Sequence, residues 1–172
     1  MNSLLLRIST TIDGWNEAVG KAASWLSLFL VVVVCVDVFL GNVFRYSNAG
    51  LFELQWHFFA LIFLLGAGYT LKTDKHVRVD VFYSKFSPKL KAWVNLLGTL
   101  LLLIPFCVVL IDAGSSFTAN SWALQEKSAD PGGLPARYLI KGSIVLGAFF
   151  LLLQGISILL HSLRTISGEK SG

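Results

Sequence analysis

The chain has 172 residues, of which 55% are hydrophobic and 14% are charged, and its mean hydropathy is +0.69. A soluble domain is about 25% charged, so this composition excludes a disordered chain and argues against an ordinary soluble globule. The net charge of +4 comes from 14 Lys and Arg against 10 Asp and Glu. No basic run is long enough to track a phosphate backbone, so nucleic acid is not expected as a partner. The length is that of a single domain, 1–172.

The predicted elements begin with Leu4, Ile8, Ile12, Trp15 and Val19, which recur at helical spacing. They predict an amphipathic helix over residues 1–21 lying at the membrane interface and leading into the first span. The same stretch lacks a basic leader, a long apolar core and a cleavage site, so no signal peptide is expected. Apolar spans follow at about 22–44, 54–71, 93–111 and 138–160. Each is long enough to cross a hydrocarbon core of about 30 Å as a helix. Runs such as Phe29 to Val34 do not alternate, which excludes the strands of a β-barrel. Pro105 falls inside the third span and is expected to kink it or to be absorbed by its neighbours. Asp112 to Gln125 has few breakers and is expected to prolong the third helix, before Pro131-Gly132-Gly133 and Pro135 turn the chain. Gly66, Ala67, Gly68, Ser143 and Gly147 offer small surfaces for helix packing.

The expected fold class is therefore an all-α membrane protein with four transmembrane helices and an N-terminal interfacial helix. Four spans place both termini on one side. Arg7, Lys21, Lys72, Lys75, Arg78, Lys85, Lys89, Lys91, Arg164 and Lys170 fall on that side, against Arg45, Lys127, Arg137 and Lys141 on the other. The excess of Lys and Arg predicts that the termini and the middle loop are cytoplasmic.

Polar residues at depth need a reason. Asp37 lies within the first span, where an ionised carboxylate costs roughly 2.5–3.5 kcal/mol; it is expected to face a partner group rather than to form a transport path alone. Arg45 and Glu53 flank the first turn and are expected to pair across it, contributing at most about 1 kcal/mol if exposed. His57, beside Gln55, is expected to donate an interfacial or interhelical hydrogen bond, and Gln154 to join helices. In Lys72-Thr-Asp-Lys-His-Val-Arg-Val-Asp-Val81, polar His76, Arg78 and Asp80 alternate with valines. His76 and Asp80 are too few ligands for a metal, with Arg78 between them to repel one; an electrostatic staple or a contact with phospholipid headgroups fits better. Cys35 and Cys107 lie in apolar spans without CxxC spacing, which argues against a disulfide framework. There is no GxSxG, no P-loop, no GxGxxG and no CxxCH. No enzyme activity, metal or cofactor is expected. A stand-alone small transporter and a haem-binding membrane anchor are the alternatives; the first lacks broken helices and an internal repeat, and the second lacks paired histidines at depth.

Several stretches taken together resemble a known family. They are Asn42-Val-Phe-Arg-Tyr46, Glu53-Leu-Gln-Trp-His57, Gly66-Ala-Gly-Tyr69 and His76-Val-Arg-Val-Asp80. A later set comprises Ser121-Trp122, Glu126, Ser128, Pro131-Gly-Gly-Leu-Pro135, Arg137 and Lys141. The chain resembles, over about residues 20–165, the small membrane subunit (Q component) of tripartite ATP-independent periplasmic (TRAP) transporters. The later set resembles the subgroup loosely labelled mannitol or chloroaromatic-type small permeases. The connector from Arg45 to Glu53 is shorter than the family's usual one. The resemblance implies a bacterial inner-membrane protein working with two partners, a large membrane subunit and a periplasmic substrate-binding protein. It implies uptake of organic acids driven by sodium, with the transport sites in the large elevator-type subunit and this chain stiffening its scaffold. Asp37, Arg45, Glu53 and Trp56 are then expected to hold the first hairpin or face the large subunit. His76, Arg78 and Asp80 would fix the cytoplasmic end of the second helix. Glu126, Arg137 and Lys141 would organise the periplasmic turn.

Overall fold

The structure, a computed structural model, describes residues 2–73, 83 and 86–167. Among them the chain is entirely helical, and four helices are long and apolar enough to cross a membrane. They are α1 (Asn2–Phe44), α2 (Ala49–Lys72), α3 (Pro88–Ala123) and α4 (Arg137–Ile166). Each of the four expected apolar spans lies within one of them.

The first helix is longer than its apolar span. Residues 2–44 form one helix without a break, about 65 Å long at 1.5 Å per residue. Its N-terminal half buries Ser9, Ile12, Asn16 and Ala23, while Ile8 and Trp15 are exposed. The buried stripe is thus mostly small and polar. Gly20 receives the ring of Tyr69, and Gly68 receives the side-chain oxygen of Asn16, so α1 and α2 approach where no Cβ intervenes. Farther along, Leu26, Leu30, Val33, Asp37 and Leu40 are half-buried, spaced alternately four and three residues apart. That is the seam of a helix pair. The rest of this half is exposed.

Local chemistry sets the other boundaries. Asn48 caps α2 by accepting the Gly50 N–H at 2.7 Å. Ser87 caps α3 by accepting the Leu90 N–H at 3.3 Å, with Pro88 in the first turn where its missing N–H costs nothing. Pro105 is absorbed without ending α3. The chain widens into a π turn over Thr99–Leu103, where the Ile104 N–H reaches the Thr99 carbonyl, and resumes as α-helix over Ile104–Ala123. A wide turn accommodates a proline that can neither donate to the preceding turn nor pack closely against it. The helix does continue through Asp112 and beyond, to Ala123.

α4 is the central element. It packs against α2 on one side and α3 on the other, and the N-terminal half of α1 reaches it past the end of α2. Its buried residues include Ser143, Gly147, Ala148, Gly155, Ser157 and Ser162. A Cβ on Gly147 would lie 2.7 Å from the Leu64 carbonyl oxygen, so α2 and α4 meet backbone to backbone. The result is a layer ordered α1, α2, α4, α3. One end of it carries the 45–48 turn and the 124–136 loop (the loop end); the other carries the start of α1 and the end of α4 (the termini end).

Candidate functional site

The loop end is organised by one carboxylate. Glu53, in the second turn of α2, is 3% exposed. Its Oε1 accepts hydrogen bonds from the Ser128 hydroxyl and from Arg137 Nη2, the latter at 2.8 Å, and its Oε2 accepts the Leu134 N–H at 2.6 Å. The loop is shaped to deliver these donors. Asp130 to Gly133 close a turn through the Gly133 N–H and Asp130 carbonyl at 3.0 Å, with Pro131 second and Gly132 third at φ 79°. That is the pattern of a type II turn, in which only glycine takes the third place without strain. Gly133 lies directly against the Ser128 side chain and near the Glu53 carboxylate, leaving no room for a Cβ. The Glu126 carbonyl accepts the Arg137 N–H at 3.0 Å and so caps α4, whose preceding residue, Ala136, takes a left-handed φ of 61° and offers no side-chain cap.

Glu53 therefore takes Arg137 as its ion partner, 84 residues away in sequence, and not Arg45 as expected across the turn. Arg45 is exposed and adopts a left-handed φ of 50° just after α1, while the Tyr46 N–H returns to the Leu40 carbonyl at 3.2 Å. Its place in the fold is that of a helix terminator.

The other two residues expected to organise this loop, Glu126 and Lys141, form a hydrogen-bonded ion pair. The Lys141 ammonium also sits 3.9 Å from the centre of the Phe117 ring. The hydrogen bond from Lys141 holds the Glu126 carboxyl below its ordinary pKa of 4.5. A carboxyl depressed in the fold contributes stability above its unfolded pKa and loses it as pH falls through the folded value. The thermal midpoint is thus expected to be insensitive to this pair from pH 7 down to about 5 and to fall below the ordinary carboxylate range. In Lys141→Met the part of that acid slope due to Glu126 should shrink, the Ser121 hydrogen bond and the Arg137 charge retaining the remainder; an unchanged slope would show that the pair does not couple to folding.

Asp37 sits in the α1–α2 seam. Gln55 Nε2 donates to its Oδ2 at 2.7 Å, so the partner is an amide of its own hairpin. One polar pair in an apolar seam fixes the register of two helices. Trp56 lies against His57 with ring centres 4.0 Å apart and planes tilted by 38°, and His57 Nδ1 lies 2.6 Å from the Glu53 carbonyl on its own helix rather than on another. His76, Arg78 and Asp80 lie outside the described residues.

A second polar cluster, at the termini end, was not singled out from the sequence. Asp13 on α1 accepts hydrogen bonds from two α4 side chains, Gln154 Nε2 at 2.9 Å and Ser157 Oγ at 2.7 Å, and His161 Nε2 lies 3.3 Å from its other oxygen. Lys72, the last residue of α2, donates to the Asp13 carbonyl at 3.0 Å and pairs with Glu17 at 2.6 Å. Gln154 thus joins helices as expected, but its partner was unforeseen. The signal available was the recurrence of Ser9, Asp13, Asn16 and Gly20 at helical spacing. Beside the apolar stripe of an amphipathic helix it reads as a water-facing side, whereas here it is a packing face.

Taken together, α2 and α4 are clamped at one end through Glu53, and α1, α2 and α4 are clamped at the other through Asp13. Among the described residues no three His, Cys, Asp or Glu side chains cluster as a metal site. The arrangement joins helices; its carboxylates at both ends are occupied by groups of the chain itself. A family model described as "Tripartite ATP-independent periplasmic transporters, DctQ component" matches residues 30–165, most of the chain. No curated protein and no solved structure was found to match it. That family supplies a transporter subunit and not an enzyme, and it works with the DctM and DctP components. Its presence in a chain with four membrane-length helices indicates a multi-pass inner-membrane protein. The chain belongs to the DctQ family, the small Q component of the TRAP transporters.

Proposed function

We propose that this chain braces the large membrane subunit of a sodium-driven TRAP transporter for organic acids and helps to present the complex to its periplasmic binding protein. The observation that carries this reading is the unequal burial of the helices. A third of the most apolar stretch of α4 is buried within the chain, and none of that of α1. The chain is a layer whose first helix has one seam and a broad remaining apolar surface for a protein partner and for phospholipids. Ion pairs at both ends, Glu53 with Arg137 and Glu126 with Lys141 at one and Glu17 with Lys72 at the other, hold that layer together, which suits a scaffold.

The termini end lies in the cytoplasm, as its Lys and Arg excess favours, so the Glu53 loop faces the periplasm. Residues 1–21 sit at the cytoplasmic interface, which the exposed Ile8 and Trp15 support. The surface next to Asp37, Arg45 and Trp56 meets the large subunit.

Co-expression of the tagged chain with its large subunit and binding protein tests this directly. Co-purification of the large subunit, and sodium-dependent uptake only with all three components, are expected. Uptake by this chain alone in liposomes would reject the scaffold role. Asp37→Ala should lower the yield of the complex and leave the sodium dependence of the assembled remainder unchanged, since Asp37 acts on the hairpin through Gln55. A normal yield with altered sodium dependence would contradict this.

A further inference from the structure

Asp112 stands apart from the other carboxylates within the described helices. Asp13, Glu17, Asp37 and Glu53 are each held by other side chains of the chain. Asp112, on α3, is exposed, and no side-chain hydrogen bond or ion pair joins it to any described residue.

Its depth gives that isolation a meaning. Gly114 of α3 lies against Ile144 and Val145 of α4, and Gly147 of α4 lies against Leu64 of α2. Because α3 runs antiparallel to α4, Asp112, two residues before Gly114, comes level with the contact between Gly147 and Leu64. Along α2, Leu64 is about 16 Å from Glu53 and about 12 Å from Lys72 at 1.5 Å per residue. Those two residues belong to the clamps at the two ends of the layer. Asp112 is therefore near the middle of a hydrocarbon core of about 30 Å, too deep for its short side chain to reach the headgroups.

Its direction is outward. Two residues along a helix turn the side chain by about 200°, so with Gly114 against α4, Asp112 points away from it. On the same outward face Leu101, Pro105 and Val108 lie toward the termini end, and Ser116 and Ala119 toward the loop end; all are exposed. The face is large and apolar up to Asp112, and small or polar beyond it. Large apolar groups suit lipid chains. A carboxylate does not, and small residues beside it let another helix approach closely.

The charge selects the occupant. Acyl chains have no hydrogen to donate. A second copy in the same orientation, related by a two-fold axis along the membrane normal, would bring its own Asp112 to the same depth on the same face, carboxylate against carboxylate. An opposite charge from a different membrane protein is required, and the scaffold reading, on which this inference rests, supplies that protein. On that reading the large subunit meets the surface at Trp56. This surface continues onto α3, since Phe117, next to Ser116, lines one cavity with Trp56. We propose that the outward face of α3 around Asp112 and Ser116 docks a transmembrane helix of the large subunit that presents a Lys or Arg to Asp112 at mid-membrane.

Titration of the large subunit onto the tagged full chain in detergent tests this. Asp112→Leu should raise the apparent Kd about tenfold, the worth of one charge-assisted hydrogen bond. The thermal midpoint of the same variant alone should be unchanged, because Asp112 has no partner within the described chain; a marked fall would show that it serves this fold instead and would overturn the proposal. Ser116→p-benzoylphenylalanine, irradiated in membranes containing both subunits, should give an adduct with the mass of this chain plus the large subunit. An adduct with a second copy or with lipid alone would overturn the proposal, as would a Kd unmoved by Asp112→Leu. Failure of the unaltered chain to bind the large subunit would sink the scaffold reading and this inference together, whereas normal binding by both forms would sink this inference alone.

Discussion

Glu53→Leu is expected to be the most damaging single substitution in the chain, giving a several-fold lower yield of monodisperse protein and a loop that proteases cut between Ala123 and Arg137. The reason is the number of groups that depend on one carboxylate. Ser128, the Leu134 N–H and Arg137 all donate to it, and it is 3% exposed. Leucine fills the space and leaves the Leu134 N–H without an acceptor and the half-buried Arg137 guanidinium without its counter-charge, with only the Ser128 hydroxyl to donate to. Removing one partner of a buried ion pair costs more than the pair itself contributes, because the survivor stays desolvated and uncompensated. Two further variants separate charge from shape. Glu53→Gln keeps a single acceptor oxygen, which serves either the Leu134 N–H or the Ser128 and Arg137 side, so it should damage the loop less than leucine does while losing the charge that pairs with Arg137. The double variant Glu53→Leu with Arg137→Leu should recover part of the loss, since no orphaned cation remains. Thermal unfolding in detergent together with limited proteolysis reads both effects. If Glu53→Leu melts and resists protease like the unaltered chain, the carboxylate does not hold the loop.

How much of this was legible in the sequence follows from the range of each interaction. The four spans were, because satisfying backbone polar groups in lipid leaves a signature inside each segment. The turn at Pro131 to Gly133 was also local, set by the φ that glycine permits. Glu53 was recognised as a residue needing a partner, but Arg45, eight positions away, is the natural choice in one dimension. Arg137 becomes the partner only once α4 packs against α2 at Gly147 and the loop folds back. Asp37 and Gln55 were each noted as polar and were not paired, since their meeting depends on the register of a seam. The second and third helices start ahead of their apolar spans, because capping by Asn48 and Ser87 depends on backbone hydrogen bonding rather than on hydropathy.

Asp13→Leu is expected to loosen the opposite end of the molecule by about 2–4 kcal/mol, the combined cost of leaving two buried donors unmet. Gln154 and Ser157 both give their hydrogens to Asp13, and they are 2% and 0% exposed. Gln154 has no second acceptor to turn to, and its own Oε1 already lacks a donor. The loss should be local. Hydrogen exchange is expected to rise along the N-terminal half of α1 and the last three turns of α4, while the N-terminus of α4, held through Arg137 and Glu126, keeps its protection. Asp13→Asn retains one acceptor oxygen and should lose less, with the His161 contact the part that weakens. A uniform rise along both helices would mean that the two ends are not independent clamps. The expected separation has a structural basis, since the hydrogen bonds from α4 to the α1 side chains go to Asp13, in the N-terminal half of α1. The long apolar remainder of that helix is tied to α2 through Asp37 and Gln55. Freed from Asp13, α1 should stay paired with α2 through Asp37 and Gln55 and swing as a hairpin, so complex formation with the large subunit should survive a substitution that visibly softens the termini end.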